Sequence, residues 1–335
     1  MKRLLPLAVA ALAAVMPSGV LAWGGTGHRM IGEVAMRNLP AGLPAFLHNP
    51  QAVLDVGELS REPDRDKRAG RVHDSDREPA HFLDLNDDGT VLGGPKLSAL
   101  PPTRADYEKA LQVVGQNSWK AGYLPYAIVD RYQQLALDFA YWRTLTAAEA
   151  NPAWKEHRDW FAADRRRREA QILETIGQLS HFVGDGSQPL HVSIHFNGWG
   201  DFPNPGGYSA AKLHAPFESD LVRSSVSEAA VAARLTPPRQ FDGTIEQRTA
   251  DYLAATARLV VPFYEMEKAG GMAPGDPRGP KLATQQLAVA ASELRDLIGL
   301  AWNASANMEV GWKPVAVADV VAGRVDPYPA LTGVD

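Results

Sequence analysis

The chain has 335 residues, 45% of them hydrophobic and 22% charged, which is enough for one large domain or two modest ones. Its formal net charge of −5 excludes a general basic surface for duplex DNA, so any polyanion must be attracted locally. Cysteine is absent, which excludes disulfides and thiolate metal ligands.

The first 22 residues have the three parts of a secretory signal peptide. A basic start, Met1 to Arg3, precedes an apolar run from Leu4 to Val15, and small residues lead up to Ala22. The run is shorter than the roughly 20 residues that span a bilayer, so a membrane anchor is disfavoured. We predict cleavage after Ala22 and export to the periplasm or the medium. Loss of two basic residues then changes the net charge from −5 to −7.

Apolar residues repeat at helical spacing through most of the chain. The first such stretch runs from Gly27 to Leu39, with His28 near its start. The charged stretch from Arg61 to Asp88, which contains Asp64 and His81, has several Pro and Gly residues and is predicted to be a loop. Further helices are predicted over 105–114, 130–145, 247–268 and 281–308.

The strongest helical pattern lies in the middle of the chain. An apolar stripe from Ile172 to Val183 places His181 and Asp185 on the last turns of a long helix. A loop over 195–208 and a helix from Leu213 follow, and residues 311–335 read as an irregular tail. Strand signals are sparse, so we predict an all-α fold with a single mostly helical domain.

Two His-x-x-x-carboxylate pairs, His181 with Asp185 and His214 with Glu218, flank the lone His191. Residues four apart project from the same face of a helix, so each pair can bind one ion without backbone distortion. A single pair is an ordinary arrangement for a histidine. Two pairs and a third histidine within 38 residues indicate a clustered metal site.

Three motifs carry a family resemblance: WGGTGH from Trp23 to His28, HFVGDGSQPLH from His181 to His191, and LHAPFE from Leu213 to Glu218. Together they resemble the superfamily of zinc-dependent phospholipases C and single-strand-specific zinc nucleases, over a region that extends to about residue 308. The resemblance implies an all-helical domain, residues 23–310, with three Zn²⁺ in a cleft. The segment 90–165 makes this part of the chain longer than the corresponding region of that superfamily. We interpret it as an insertion that covers the cleft.

The resemblance also implies which residues bind each ion. One ion would be bound by Asp64, His81, His181 and one oxygen of Asp185. The second would be bound by the other oxygen of Asp185, by His28, and by the amine and carbonyl of Trp23 after cleavage. The third would be bound by His191, His214 and Glu218. Imidazole and carboxylate suit Zn²⁺, and the free α-amine is neutral enough near pH 8 to coordinate.

Two assignments rest on less specific sequence. Asp64 is preferred to Asp66 as the ligand upstream of His81, and it is also the candidate that orients the nucleophile. Phe82 follows a ligand histidine, as an aromatic residue does in the superfamily, and is predicted to bind substrate by stacking on a base or packing on a headgroup. A role for Phe82 in the core is the alternative.

The implied activity is hydrolysis of a phosphodiester by zinc-activated water that attacks phosphorus. The short spacing from Trp23 to His28 resembles the nucleases, whereas glutamate at position 218 resembles the phospholipases. We give more weight to the first and predict single-stranded DNA or RNA as the substrate, with no obligate protein partner. The alternatives are a phospholipase C that acts on headgroups at a membrane surface, and an exported zinc-binding protein without activity.

Overall fold

The computed structural model describes residues 23–333, and the all-α prediction is confirmed for them. Helices account for most of this part of the chain, which forms a single domain, and strand is limited to one short antiparallel pair. The predicted signal peptide lies outside the described residues. Within residues 23–333 no helix is both long and apolar enough to cross a bilayer.

The helices are numbered in chain order. The α-helices are α1 (Gly24–Arg37), α2 (Pro50–Leu59), α3 (Glu62–Arg65), α4 (Arg71–Arg77), α5 (Arg104–Val113), α6 (Ser118–Ala121), α7 (Leu124–Ala150), α8 (Arg158–Ser187), α9 (Val222–Ser225), α10 (Glu228–Ala232), α11 (Ile245–Ala257), α12 (Val260–Lys268), α13 (Arg278–Ala304), α14 (Val317–Val321) and α15 (Tyr328–Thr332). Short 3-10 turns occur at Ala45–His48, Glu78–His81, Leu97–Ala99, Pro152–His157, Pro189–His191 and Ser305–Asn307, and a π-helical turn at Pro216–Leu221.

The long helices α7, α8 and α13 pack against one another, and α1 lies against α2, α8 and α13. The core is formed by the apolar faces of these helices and includes the predicted stripe of α8. Fully buried members from the four helices are Ile31, Phe139, Ile176, Leu179 and Leu294. The same packing carries the polar residues at one end of α8 into the interior, which positions the site described below.

The segment predicted as a loop over 61–88 is more helical than expected, since it contains α3, α4 and a 3-10 turn that ends at His81. Proline explains part of this difference. Pro63 and Pro79 each lie in the first turn of a short helix, where the missing N–H costs no hydrogen bond. These helices span four to seven residues and are too short to show a helical period.

The C-terminal segment also differs from the prediction of an irregular tail. Strand β1 (Glu309–Val310) pairs with β2 (Val315–Ala316), and α14 and α15 follow. Val310, Val317 and Val320 are buried against α7 or the helices beside it. Elements of two to five residues are too short for the spacing of their apolar residues to show a helical or strand period, so they could not be predicted from the sequence alone.

Residues 90–165, interpreted as an insertion over the cleft, have two structural roles. Helix α7 packs along α8 and supplies Leu135 and Phe139 to the main core. The part before α7 folds near the 3-10 turn that carries His81. There Gly122 has a φ of 74°, and a β-carbon on it would lie 2.0 Å from the carbonyl oxygen of Phe82. Only glycine permits this close approach of the two segments.

Candidate metal centre

The predicted ligands come from separate elements that meet at the C-terminal end of α8. His28 lies on the first turns of α1, Asp64 lies in α3, and His81 ends a 3-10 turn. His181 and Asp185 lie one helical turn apart near the end of α8. Their side chains are buried except for Asp64, which is 11% exposed.

The third part of the cluster lies after α8. His191 ends a 3-10 turn, His214 lies just before the π-helical turn, and Glu218 lies within that turn. All three side chains are at most 4% exposed. The fold therefore brings together the eight side chains that the sequence assigned as metal ligands.

Three groups of these residues could each hold a metal ion, because their ligand atoms lie within 4.8 Å of one another. The groups are His28–His181–Asp185, Asp64–His81–His181, and His191–His214–Glu218. His181 belongs to two of them. We call the three groups together the metal centre.

Asp185 connects the groups through its two oxygens. Its Oδ2 lies 3.0 Å from His81 Nδ1 and 3.3 Å from His181 Nε2. Its Oδ1 lies 3.6 Å from His28 Nε2 and 3.9 Å from His191 Nδ1. A carboxylate with one oxygen toward each of two groups can bridge two ions, which is the role that the family resemblance implies for Asp185.

Backbone carbonyls fix the orientation of three histidines. A carbonyl oxygen only accepts hydrogen bonds, so each of these Nδ1 atoms must carry the proton, and each Nε2 keeps its lone pair for the centre. The bonds run from His181 Nδ1 to the Ser60 oxygen (2.8 Å), from His191 Nδ1 to the His81 oxygen (2.6 Å), and from His214 Nδ1 to the Phe196 oxygen (2.7 Å).

Acceptor atoms therefore face one another in the interior. The Nε2 atoms of His191 and His214 are 2.9 Å apart, and His214 Nε2 is 2.8 Å from Glu218 Oε2. In neutral rings whose Nδ1 is protonated, these three atoms all present lone pairs. Such an arrangement is repulsive unless a cation lies between them. Two nitrogens on one tetrahedral Zn²⁺ would be roughly 3.3 Å apart, so the donors fit after a small expansion.

Several buried polar atoms in the centre have no hydrogen-bond partner within the described residues. They include His28 Nδ1, His28 Nε2, Asp185 Oδ1 and Glu218 Oε1. An unpaired buried polar group costs about 1–3 kcal/mol, so several in one cluster are expected only where another species binds them. The residues present thus fit one or more metal ions.

The pKa values agree with this chemistry. Burial, reinforced by neighbouring histidines, lowers the pKa of His28 to about 3. Burial likewise lowers the pKa of His181 to about 4 and that of His81 well below its usual value. Burial raises the pKa of Asp185 to about 7. The imidazoles are therefore neutral ligands at physiological pH, and a bound cation would hold Asp185 in its ionised form.

A pocket of about 460 Å³ opens beside His81. Its wall combines buried apolar residues with a charged rim from α3, α4, α5, α7 and their flanks. The lining residues are Pro63, Asp66, Asp76, Arg77, Ala80, His81, Arg104, Tyr123, Ala127, Asp130, Arg131, Gln178 and Phe182. We call this cavity the rim pocket.

Three guanidinium groups reach the rim pocket from different elements. The Arg104 guanidinium carbon lies over the Tyr123 ring, 3.5 Å from its centre, which is the geometry of a cation–π contact. Arg131 Nη1 donates to Gln178 Oε1 at 3.0 Å. Arg77 extends from the last turn of α4. The segment interpreted as an insertion thus contributes Arg104, Tyr123 and Arg131 to the surroundings of the centre.

The remaining predicted residues have distinct locations. Trp23 is fully buried, and its indole N–H donates to the Gly184 oxygen and to Ser187 Oγ, both at 2.8 Å. Coordination by the amine of Trp23 stays a prediction. Phe82 is half-buried directly after His81. Asp66 is exposed and lines the rim pocket, so Asp64 is the aspartate that the fold brings to His81 and His181.

Sequence reasoning missed three kinds of participant. The carbonyls of Ser60 and Phe196 orient histidines, but a backbone atom has no sequence signature. The arginines of the rim pocket are separated from the ligands in sequence and come together only through the packing of α5 and α7. Lys67 lies 2.7 Å from Asp64, and its spacing of three residues from that ligand was the one available signal.

No family model matches the chain, and no curated protein matches it in sequence.

Proposed function

We propose that this protein is an exported, zinc-dependent phosphodiester hydrolase that acts on single-stranded nucleic acid. The observation that carries the proposal is the proximity of three His/carboxylate groups at one end of α8, with acceptor atoms that face one another or lack a partner. Clusters with several adjacent metal ions are typical of enzymes that cleave phosphate esters. The family resemblance of the three motifs agrees with this class of reaction.

Zinc is the metal that the donor set favours, since the ligands are neutral imidazoles and carboxylates without thiolates. Three Zn²⁺ would bring six positive charges against the three carboxylates of Asp64, Asp185 and Glu218. An acidic protein would then have a locally positive cleft that attracts a phosphodiester. When bound, the ions would supply polarisation of the phosphoryl oxygens and a lowered pKa for water.

The protein's own residues would position the substrate. Asp64, which is 11% exposed, can accept a proton from the attacking water or orient it. Arg104, whose guanidinium lies over the Tyr123 ring, would donate N–H groups to a phosphate on either side of the cleaved bond. Phe82, half-buried beside His81, is the nearest predicted stacking surface for an unpaired base.

The guanidinium groups at the rim pocket support a polynucleotide rather than a phospholipid as the substrate. A polynucleotide places further phosphates on either side of the cleaved bond, and guanidinium groups bind them. A phospholipid has one phosphodiester and two acyl chains, which need an apolar surface next to the site. The rim pocket has three arginines, Arg77, Arg104 and Arg131, whose guanidinium groups can bind such phosphates. Three aspartates, Asp66, Asp76 and Asp130, line the same pocket, so the attraction is local to the guanidinium groups.

The test compares substrates on one preparation of protein that is processed to begin at Trp23. We expect close to three zinc ions per chain, and release of nucleotides from single-stranded DNA or RNA that stops when a chelator is added. Glu218→Gln removes a ligand of the third group and should lower the turnover by at least about 100-fold. Glu246→Gln, an exposed change on α11, is the matched control and should leave the turnover unchanged.

Other outcomes would redirect the proposal. Release of diacylglycerol from phosphatidylcholine without release of nucleotides would identify a phospholipase C. Bound zinc without hydrolysis of either substrate would leave a zinc-binding protein. Protein without zinc would contradict the metal centre itself.

A further inference from the structure

Tyr264 on α12 is a fully buried side chain whose hydroxyl holds two points of a loop beside the metal centre. The hydroxyl donates to the carbonyl oxygen of His195 at 2.6 Å and accepts the backbone N–H of Gly198 at 3.1 Å. A tyrosine hydroxyl can do both at once, because it is a donor and an acceptor. One side chain therefore fixes the backbone on both sides of the dipeptide 196–197.

The enclosed dipeptide in turn holds a predicted metal ligand. The Phe196 carbonyl oxygen accepts from His214 Nδ1 at 2.7 Å, and Asn197 Oδ1 accepts from the backbone N–H of His214 at 3.3 Å. The first bond orients the imidazole, and the second locates the backbone that carries it. The direction in which His214 Nε2 points into the centre therefore depends on where residues 196 and 197 lie.

Close packing surrounds the hydroxyl and the loop. The Trp199 ring, which is 4% exposed, meets the Tyr264 ring edge to face at 5.1 Å, and His195 stacks on Trp199 at 3.7 Å. Gly198 has a φ of 100°, and a β-carbon on it would lie 2.7 Å from the Ala210 oxygen. A hydrogen bond lost in such a buried place leaves its partner unpaired, and the loop must shift to satisfy that partner.

We propose that Tyr264 is a positioning residue of the group His191–His214–Glu218, and that it acts through the loop 195–198. Its hydroxyl makes no hydrogen bond to a ligand side chain within residues 23–333, so its effect passes through the backbone that holds His214. The inference rests on the metal centre of the proposed function, but it does not require hydrolysis. Without the hydroxyl the Phe196 carbonyl can move, and His214 then meets a bound ion in a poorer orientation.

The experiment measures the zinc affinity of processed protein without substrate, by titration against a chromophoric chelator. Tyr264→Phe removes one oxygen and keeps the aromatic ring. Because the partners of a ligand histidine typically contribute roughly 10–100-fold to metal affinity, we expect one ion to be bound about tenfold more weakly than in the wild type. The other ions should change by less than about twofold. Asn197→Ala removes the longer of the two bonds to His214 and should weaken the same ion by a smaller factor.

Two comparisons separate positioning from a general loss of stability. Tyr126→Phe also removes a hydroxyl that donates to a backbone carbonyl, that of Pro101 at 2.8 Å, and should leave every zinc affinity unchanged. His214→Ala removes the ligand through which Tyr264 acts. Adding Tyr264→Phe to that variant should therefore change the affinity of the remaining sites by less than about twofold. His214→Gln takes its place if the alanine variant does not fold.

The inference is overturned if Tyr264→Phe binds every ion as the wild type does, or if Tyr126→Phe shows the same loss. An equal loss of zinc affinity from Tyr264→Phe when His214 is already absent would overturn it as well. The expected series of affinities in a protein that hydrolyses no phosphodiester would refute the proposed activity alone. Unchanged zinc binding by Tyr264→Phe in an active nuclease would refute this inference alone.

Discussion

Asp84 is a half-buried carboxylic acid that lies three residues after His81. Burial raises its pKa from 3.8 to about 7, and its backbone N–H is bonded to the Ala121 oxygen at 2.8 Å. Between pH 4 and 7 the folded protein therefore binds a proton that the unfolded chain has released. The free energy of unfolding falls with rising pH wherever the folded state binds more protons than the unfolded chain. Asp84 therefore destabilises the protein progressively as the pH rises from 4 to 7, and the full destabilisation remains above pH 7.

We therefore expect Asp84→Asn to stabilise the protein at pH 8, by up to about 4 kcal/mol if the whole shift is relieved. At pH 4 the gain should be small, because the native acid is then neutral in the folded state. Urea unfolding of the variant and the wild type at pH 4, 6 and 8 measures this difference. Asp201→Asn, an exposed change, should give a difference near zero at each pH. A gain that is independent of pH would contradict the assignment.

The metal ligands show how far single residues can be predicted. His181 with Asp185 is a local pair on one helix, so its spacing alone gave the shared face. His28, Asp64 and His81 reach the same centre only through the packing of α1 and α3 on α8, and no local pattern contains that information. Their assignment came from the family resemblance, and the geometry brings them together independently of it.

At the scale of elements, the α7–α8 contact depends on a buried carboxylate. Asp138 on α7 is 1% exposed and accepts hydrogen bonds from Arg168 Nη1 (2.6 Å), Gln134 Nε2 (3.0 Å) and Thr175 Oγ1 (2.9 Å). Its charge is compensated by Arg168, whose side chain is 18% exposed. Removing one partner of such a pair leaves the other charge in a poorly hydrated place.

We expect Asp138→Ala to lower the free energy of unfolding by about 3 kcal/mol, through the unpaired guanidinium of Arg168. Asp130→Ala on the same helix removes a carboxylate that is 73% exposed and should cost less than about 1 kcal/mol. Urea unfolding of both variants against the wild type provides the comparison. Equal losses for the two positions would show that the buried pair adds nothing to the contact between the helices.

The elements themselves were predictable in proportion to their length. The apolar stripe from Ile172 to Val183 identified α8. The helix begins earlier, at Arg158, but its first turns are rich in charged residues and show no apolar spacing. Helices of four to seven residues such as α3 and α4 were missed, because one turn contains too few apolar positions to establish a period. The formation of α3 depends on proline in its first turn and on tertiary contacts with α8, whereas α4 packs on the 3-10 turn that ends at His81.

At the scale of the whole molecule, the centre joins segments that are distant in the chain, from His28 on α1 to Glu218 in the π-helical turn. A bound ion stabilises the folded state because the unfolded chain does not hold these ligands together. Without cysteine the chain has no disulfide that could supply this constraint. Metal binding and global stability should therefore be linked.

We expect a chelator to lower the melting temperature of the processed protein by roughly 5–10 °C, since ligand at 100 times its Kd contributes about 2.7 kcal/mol. Added zinc should restore it. Glu218→Gln should show a smaller difference between the two conditions because one group has lost its carboxylate, whereas Glu246→Gln should behave as the wild type. An unchanged melting temperature would contradict the metal centre, because ions that join segments from α1 to the π-helical turn must stabilise the folded state.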